Sequence, residues 1–330
     1  MRVVRVDPGN IDPAAIAEAA TTIRAGGLVA FPTETVYGLG ADATNAAAVQ
    51  RIFAAKGRPS YNPLIVHVAD ASHARAIVGG WSNFAVLLST RFWPGPLTLV
   101  LPRGPTIPDA VTAGLPTVGV RVPAHPVARA LLEAADRPIA APSANRSMAI
   151  SPTDGRHVAE SLGDRADVIL DAGPVDVGIE STVLDLSSAV PTILRPGMIS
   201  RRQLAEVIGE VRVASSGSAT GEALPSPGMM DRHYQPRATL LFVQNREEVA
   251  ATLRKLEGRR VAILTTEAGA ALSARVVAMP ADAAGFARTL YATLHGLDEE
   301  GFDAIVVAPI PESDEWAGIR DRLSRATSSS

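Results

Sequence analysis

Residues 26–69 read GGLVAFPTETVYGLGADATNAAAVQRIFAAKGRPSYNPLIVHVA, and their pattern sets the fold class. Residues 28–31 are a short apolar run that predicts a strand, ended by Pro32 because proline cannot donate to a ladder. Thr33, Glu34, Thr35 and Tyr37 then bring polar side chains to a strand end, where α/β sheets build their sites. Val49, Ile52 and Phe53 recur at helical spacing, so residues 45–55 are predicted as a helix opened by Thr44 or Asn45. Residues 64–68 read as a buried strand. Strand, helix and strand in this order predict an α/β protein.

The helix delivers Lys56 and Arg58 onto the loop that follows it. Of 31 basic residues only Lys56 and Lys255 are lysine. A cation at a helix end suits the dipole, but arginine would serve that purpose equally. A compact ammonium with three rotatable donors is what arginine cannot offer, so Lys56 is a candidate anion-binding residue.

Upstream, residues 3–6 read as a strand. Residues 13–25 read as a helix with Asp12 as N-cap, Pro13 in the first turn and Gly26 and Gly27 as its stop. Downstream, strands are expected at 97–101, 117–122, 138–141, 168–170, 181–186 and 192–194. Helices are expected from Ser72 and Ser82, at 126–135, from the Ser151-Pro152-Thr153 cap to 162, and after Ser200. Together they predict a twisted mixed sheet with flanking helices. Residues 214–236 turn to Ser, Gly, Ala and Pro without apolar periodicity, which reads as a linker. Its second half carries Met229, Met230, Arg232, His233 and Tyr234, side chains too bulky for a spacer, and so suggests a lid. From residue 239 strands and helices alternate, predicting a small parallel α/β domain. The expected division is 1–213, 214–237 and 238–330.

Composition narrows the chemistry. The chain has 330 residues, a formal charge of −3 and no cysteine. That balance carries no global footprint for nucleic acid. Disulfides, a thiolate nucleophile and zinc-thiolate sites are excluded. No apolar run has the length of a signal or a membrane span, and a cytoplasmic, soluble protein is expected. His67, His73, His125, His157, His233 and His295 show no metal-ligand spacing. No serine sits in a nucleophile elbow.

Two short patterns remain. Lys56 with Arg58, and Ser143 with Asn145 in the SAN tripeptide, are each two residues apart, and on extended backbone such side chains point the same way. Facing one cleft, the pairs would suit a polyphosphate, the arginine binding as a fork and the lysine as a point charge. No Walker loop or dinucleotide fingerprint is present, so side chains would have to hold a nucleotide. His67 in its apolar strand reads equally as a core histidine or a ligand contact.

Taken together, PTETVYGLG, KGRPSYNPLIVHV, SAN with SPT downstream, GIESTVLDL, ILRPG and SPGMMDRHYQP resemble the two-domain threonylcarbamoyl-AMP synthases, a YrdC-like domain followed by a smaller C-terminal one. The likeness runs through about the first 236 residues, and beyond them it is one of architecture. It implies an α/β YrdC-like catalytic domain of 1–213, a linker of 214–237 that closes over the site, and a Rossmann-like domain of 238–330. The implied reaction joins L-threonine, bicarbonate and ATP into threonylcarbamoyl-AMP with release of pyrophosphate. A downstream tRNA-modifying transferase complex would then carry the group to the adenosine beside the anticodon.

By the same resemblance Lys56, Arg58, Ser143 and Asn145 are the implied catalytic set, around the ATP phosphates and the carbamate. Asn62, Thr117, Ser151, Arg195, His233 and Tyr234 are implied ATP contacts, and Thr35, His67, Arg121 and Ser181 the threonine pocket. Mg²⁺ is expected through the phosphates, without protein ligands. Direct tRNA binding is expected to be weak or absent. Two positions depart from the family pattern: Arg146-Ser147-Met148 follows SAN where Ser-Gly is more usual at the last two places, and Asp231 stands where an aromatic is usual. Two other classes compete with the synthase. An RNA-binding module would need a basic concave stripe, and a carbamoyl transferase of hydrogenase maturation would bring zinc fingers that a cysteine-free chain cannot form.

Overall fold

The computed structural model describes residues 1–214, 234–267 and 274–327. Among the described residues the strands fall into two sheets. The larger comprises β1 (Arg2–Arg5), β2 (Val29–Pro32), β3 (Tyr37–Asp42), β4 (Ile65–His67), β5 (Leu97–Pro102), β6 (Thr117–Arg121), β7 (Ile139–Ala140), β8 (Val168–Asp171), β9 (Thr182–Asp185), β10 (Thr192–Arg195) and β11 (Arg212–Val213). Their order is β1-β8-β2-β3-β7-β4-β6-β5-β9-β10-β11, with parallel and antiparallel pairs mixed. The smaller comprises β12 (Thr239–Phe242), β13 (Val261–Thr265), β14 (Arg275–Ala278) and β15 (Ala304–Val307), in the order β12-β15-β13-β14 and parallel throughout. A mixed α/β sheet followed by a small parallel one is what the pattern predicted. Most of the expected lid, with Asp231 and His233, lies outside the described residues.

Alternation along a buried strand sets the layers, since successive side chains face opposite ways. Val29 and Phe31 join Ile23 and Leu131 under the helices Pro13–Arg24 and Pro126–Ala135. Leu28 and Ala30 face the other layer, with Phe53 and Leu88 of the helices Ala46–Lys56 and Asn83–Phe92. Both faces are covered, which is why these strands read as unbroken apolar runs.

β2 ends at Pro32 as expected, and the chain then turns back as β3, with Pro32 opposite Tyr37 and Val29 opposite Gly40. Gly40 serves close packing, because a Cβ there would lie 2.7 Å from atoms of Ile139 and Phe31. Two caps move. Asp70, not Ser72, caps the helix Ala71–Ile77, and Asp154 caps Gly155–Leu162, each carboxylate accepting from backbone N–H groups that a hydroxyl would hold more weakly. Asp12 and Ser82 cap as predicted.

The smaller sheet does not bury its helices alone. Phe286, Leu290, Tyr291, Trp316 and Ile319 form one apolar cluster with Val36, Ile150, Ile179 and Tyr234 from the other side. Across the same junction the imidazoles of His157 and His295 stack, with centroids 3.8 Å apart and planes 12° from parallel, while His295 Nε2 lies 3.1 Å from the Ser151 carbonyl. Burial, and then the neighbouring His295, hold the His157 pKa down to about 4, and burial lowers that of His295. Asp154, Glu299, Asp298 and Arg156 surround the stack. A lowered folded-state pKa makes the unfolded chain the better proton acceptor, so this contribution is complete above the ordinary value of 6.5 and is lost as pH falls from there toward about 4. Thermal melts across that window are expected to show a falling Tm, and His295→Gln is expected to flatten the fall. A variant with the wild-type slope would remove the stack as its cause. No helix among the described residues is long and apolar enough to cross a membrane.

Candidate active site

A cleft opens beside β2, β3, β4 and β6, lined by Thr35, Arg58, His67, Arg121, Ser143, Ser181, Arg195 and Tyr234 together with Glu180.

One side is a relay of hydroxyls held by an arginine. Arg121 ends β6 opposite His67, which ends β4. Its Nη2 lies 2.7 Å from Glu34 Oε1, its Nη1 donates to Thr35 Oγ1 at 2.9 Å and its Nε to the Gly95 carbonyl at 3.2 Å. The other Glu34 oxygen accepts from Ala124 N at 3.0 Å. Thr33 Oγ1 donates to the Val36 carbonyl at 2.7 Å, so in its 2.8 Å contact with Thr35 it is the acceptor. Thr35 therefore points its proton at Thr33 and keeps a lone pair beyond the one facing Arg121. Arg121, a residue of the implied threonine pocket, is already engaged by Glu34 and acts as a fixed positive edge. Burial, with Arg121 adding to it, pushes the His67 pKa down to about 3, so this imidazole is neutral, and among the described residues its buried Nδ1 has no hydrogen-bond partner.

The other side is cationic. Arg58 Nε donates to the Asn62 carbonyl at 3.0 Å, and its Nη2 to Asn62 Oδ1 at 2.6 Å and the Pro63 carbonyl at 2.8 Å, all neutral acceptors. Among the described residues no carboxylate pairs with Arg58. Burial pulls its pKa down to about 9; Tyr234 opposes this and Arg195 adds to it. Arg195 donates to Ser181 Oγ and to the Ser181 carbonyl, both at 3.1 Å, and burial lowers its pKa as well. Two desolvated guanidiniums in one cleft, each further lowered by a neighbouring arginine (Arg195 for Arg58, Arg322 for Arg195), favour an incoming anion.

Lys56 is placed differently from its prediction. It is the last residue of its helix, and the C-cap Gly57 is left-handed at φ 62°, so the extended i, i+2 geometry assumed for Lys56 and Arg58 does not exist. Lys56 instead turns inward. Its Nζ donates to the Ser143 carbonyl at 2.6 Å, to Asn145 Oδ1 at 3.3 Å and, in a still shorter bond, to the Asn145 carbonyl. Burial, then Arg58, pushes the ammonium pKa well down and Glu180 opposes them. A neutral amine has two hydrogens, so three converging acceptors hold the protonated form. Lys56 thus straps the SAN loop, and Asn145 Nδ2 extends the strap to the Ala149 carbonyl at 2.8 Å.

Asn145, Asn62 and Ser151 stand behind the lining: Asn62 holds Arg58, and Ser151 donates to Glu180 Oε1 at 2.5 Å. Thr117 is not brought into the cleft but lines a second hollow of about 290 Å³, separated from the first by Ile65, which faces both. Met148, in place of the usual glycine, is left-handed at φ 71°, a conformation costing a side-chain residue about 1–2 kcal/mol. Its carbonyl accepts from Gln235 N at 2.8 Å, tying the loop to the end of the linker.

Sequence reading missed the two acids. Glu34 and Glu180 each precede a predicted residue, Thr35 and Ser181, and a carboxylate beside an apolar run was the available signal. Burial would raise the Glu180 pKa, but Arg322 and then Arg195 outweigh it and hold it down to about 2. Among the described residues no three His, Asp or Glu side chains gather to hold a metal.

A mixed sheet bearing a buried cationic cleft, with a small parallel α/β unit packed behind one wall, defines a YrdC-like protein with a C-terminal extension. A family model described as "Telomere recombination" matches residues 21–197, and one described as "Threonylcarbamoyl-AMP synthase, C-terminal domain" matches 199–328. The threonylcarbamoyl-AMP synthase of Bacillus subtilis is 44% identical over 319 residues, covering 94% of this chain and 92% of that protein. That of Schizosaccharomyces pombe is 38% identical over 91% of this chain and 85% of its own. A crystal structure of Pyrococcus abyssi Sua5 complexed with L-threonine, 40% identical, superposes with a TM-score of 0.92 over 99% of this chain and 98% of that one. The chain belongs to the threonylcarbamoyl-AMP synthase family.

Proposed function

We infer that the protein is an L-threonylcarbamoyl-AMP synthase, which condenses L-threonine, bicarbonate and ATP and releases pyrophosphate. The observation that carries this reading is the buried pair Arg58 and Arg195, both with pKa values lowered first by burial, beside Ser143 and Ser181 in one cleft, in a chain of this family. Relatives carry the synthase name over most of this chain, and the RNA-binding and carbamoyl-transferase readings give way to it.

Threonine fits the side built by Thr35, His67 and Arg121, with Ser181 between the two sides. A neutral His67 with an unpartnered Nδ1 suits contact with the amino or hydroxyl group, and Arg121 supplies field and holds Thr35. The amine must be neutral to take up bicarbonate as a carbamate with loss of water. A carbamate oxygen then attacks the α-phosphorus in line, the bond to the bridging oxygen breaks and pyrophosphate leaves. Arg58, Arg195 and Ser143 are the groups we assign to the charge that develops, a role in which preformed donors need no reorganisation. Lys56, Asn145, Asn62 and Ser151 support them, and Thr117 and His233 are assigned to the nucleotide on the resemblance alone. Mg²⁺ would arrive with the triphosphate as part of the substrate, since no side-chain cage exists for it among the described residues. The product would serve a transferase that modifies the adenosine beside a tRNA anticodon.

Two separate sheets support the division at 1–213, 214–237 and 238–330. The direct test is pyrophosphate release with each substrate omitted in turn. Release is expected only when threonine, bicarbonate and ATP are all present. Equal release without threonine would make the protein a different ATP-using enzyme.

A further inference from the structure

Arg322 lies on the helix Ala317–Ala326 of the small unit, yet it is fully buried and its partners belong to the wall of the cleft. Its Nε donates to Glu180 Oε2 at 2.7 Å, its Nη2 to the Glu180 carbonyl at 3.2 Å and its Nη1 to the Pro196 carbonyl at 2.8 Å. Glu180 immediately precedes Ser181, and Pro196 immediately follows Arg195. One guanidinium therefore holds both chain segments whose adjacent residues meet in the Arg195–Ser181 contact, on the wall of the cleft where β9 and β10 pair. Tyr291, on the helix Ala283–Glu299, donates to Glu180 Oε2 at 3.2 Å. The ring of Tyr234, itself in the cleft lining, lies 5.4 Å from the Arg322 guanidinium and 5.8 Å from the Tyr291 ring.

The seating of this helix is built for that reach. A Cβ on Gly318 would lie 2.9 Å from the backbone of Gly197, and one on Gly197 would lie 2.4 Å from Thr182 N. Two glycines thus let helix and loop touch, one turn before Arg322. A buried ion pair is a poor device for stability, since apolar side chains of the same volume often stabilise more. What it fixes is geometry.

We propose that Arg322 and Tyr291 are positioning residues for the synthase reaction: acting through Glu180 and the Pro196 carbonyl, they hold Ser181 and Arg195 in place on the wall of the cleft and seat Tyr234 beside them. The small unit is then a working part of the active site and not a separate binding module. This rests on the synthase reading above.

The test uses the full chain, with R322K, Y291F and E180Q followed by threonine- and bicarbonate-dependent pyrophosphate release alongside thermal melts. Lysine keeps the charge but cannot serve Glu180 Oε2, the Glu180 carbonyl and Pro196 together. R322K is expected to lower kcat/KM by about tenfold or more per folded molecule, and Y291F by about threefold. E180Q, which weakens the same link from the other side, is expected to resemble R322K, and E180Q with R322K to lose little more than either alone. Glu180 also faces Arg195, Lys56, Ser151 and Tyr234, and Asp321, next to Arg322 on its helix, accepts from Arg322 Nη1 at 2.8 Å. With Arg322 weakened, burial raises the Glu180 pKa, so R322K is expected to lose activity at a higher pH on acidification than the wild type, and E180Q with R322K is expected not to. A lowered Tm with unchanged kcat, KM and pH profile would make Arg322 a structural strap and overturn the proposal. Should R322K fail to fold, Y291F decides: wild-type kcat/KM in that variant overturns it. Absence of pyrophosphate release from the wild type would instead fault the synthase reading itself.

Discussion

Lys56→Met is expected to cut pyrophosphate release by about a hundredfold or more. The reason is not a lost contact to phosphate but the loss of the strap on the SAN loop. Three buried acceptors, the Ser143 and Asn145 carbonyls and Asn145 Oδ1, would lose their common donor. Each unsatisfied buried acceptor costs about 1–3 kcal/mol, so the loop carrying Ser143 would relax and Tm would fall as well. Methionine fills nearly the same volume, which keeps a cavity from confusing the result. Lys56→Arg is expected to fail too, because a planar fork cannot send three hydrogens from one nitrogen to three converging carbonyl oxygens. Pyrophosphate assays and melts on both variants check this. Near-normal turnover in the arginine variant would show that charge alone suffices.

Arg121→Met is expected to be the most damaging change to the threonine side. It strands the Glu34 carboxylate, which is buried and 2.7 Å from its partner, and removing one member of such a pair costs about 3–5 kcal/mol. Thr35 would also lose the donor that fixes its hydroxyl. The double variant Glu34→Gln, Arg121→Met removes both charges and is expected to regain most of the lost Tm without regaining threonine binding. Calorimetric titration with L-threonine beside the melts separates the two effects. Threonine affinity at the wild-type level in the double variant would show that neither charge serves the substrate.

Much of this molecule could be read from its chain because local and long-range signals agree. The alternation of apolar runs with capped helices gave both sheets, and Asp12 and Ser82 behave as their positions demand. Thr35, Arg58, His67, Arg121, Ser143, Ser181, Arg195 and Tyr234 meet in one cleft; strand ends, paired spacing and the linker marked five of them in the residues themselves, while Arg121, Ser181 and Arg195 were marked by the family resemblance alone. What could not be read depends on groups distant in sequence. Lys56 and Arg58 part company because one left-handed glycine turns the chain between them, a change invisible to spacing. Glu34 stood in plain view among polar neighbours, but its partner is Arg121, on another strand. Nothing near GIEST signals that its glutamate is held by a residue of the last helix. Met148 carries a left-handed conformation that its side chain disfavours, tied by its carbonyl to Gln235.

The apolar cluster that joins Val36, Ile150 and Ile179 to Phe286, Tyr291 and Ile319 also bears on how the protein is made. Domains generally fold in order of synthesis, the amino-terminal one first. The large sheet can therefore form while these three side chains are still uncovered and Glu180 still lacks its counter-ion. The helices of the small unit leave the ribosome after the large sheet, and their docking sets Arg322 behind Glu180. Until then the nascent chain carries a sticky patch beside an unfinished site, so assembly and the onset of activity fall at the same moment.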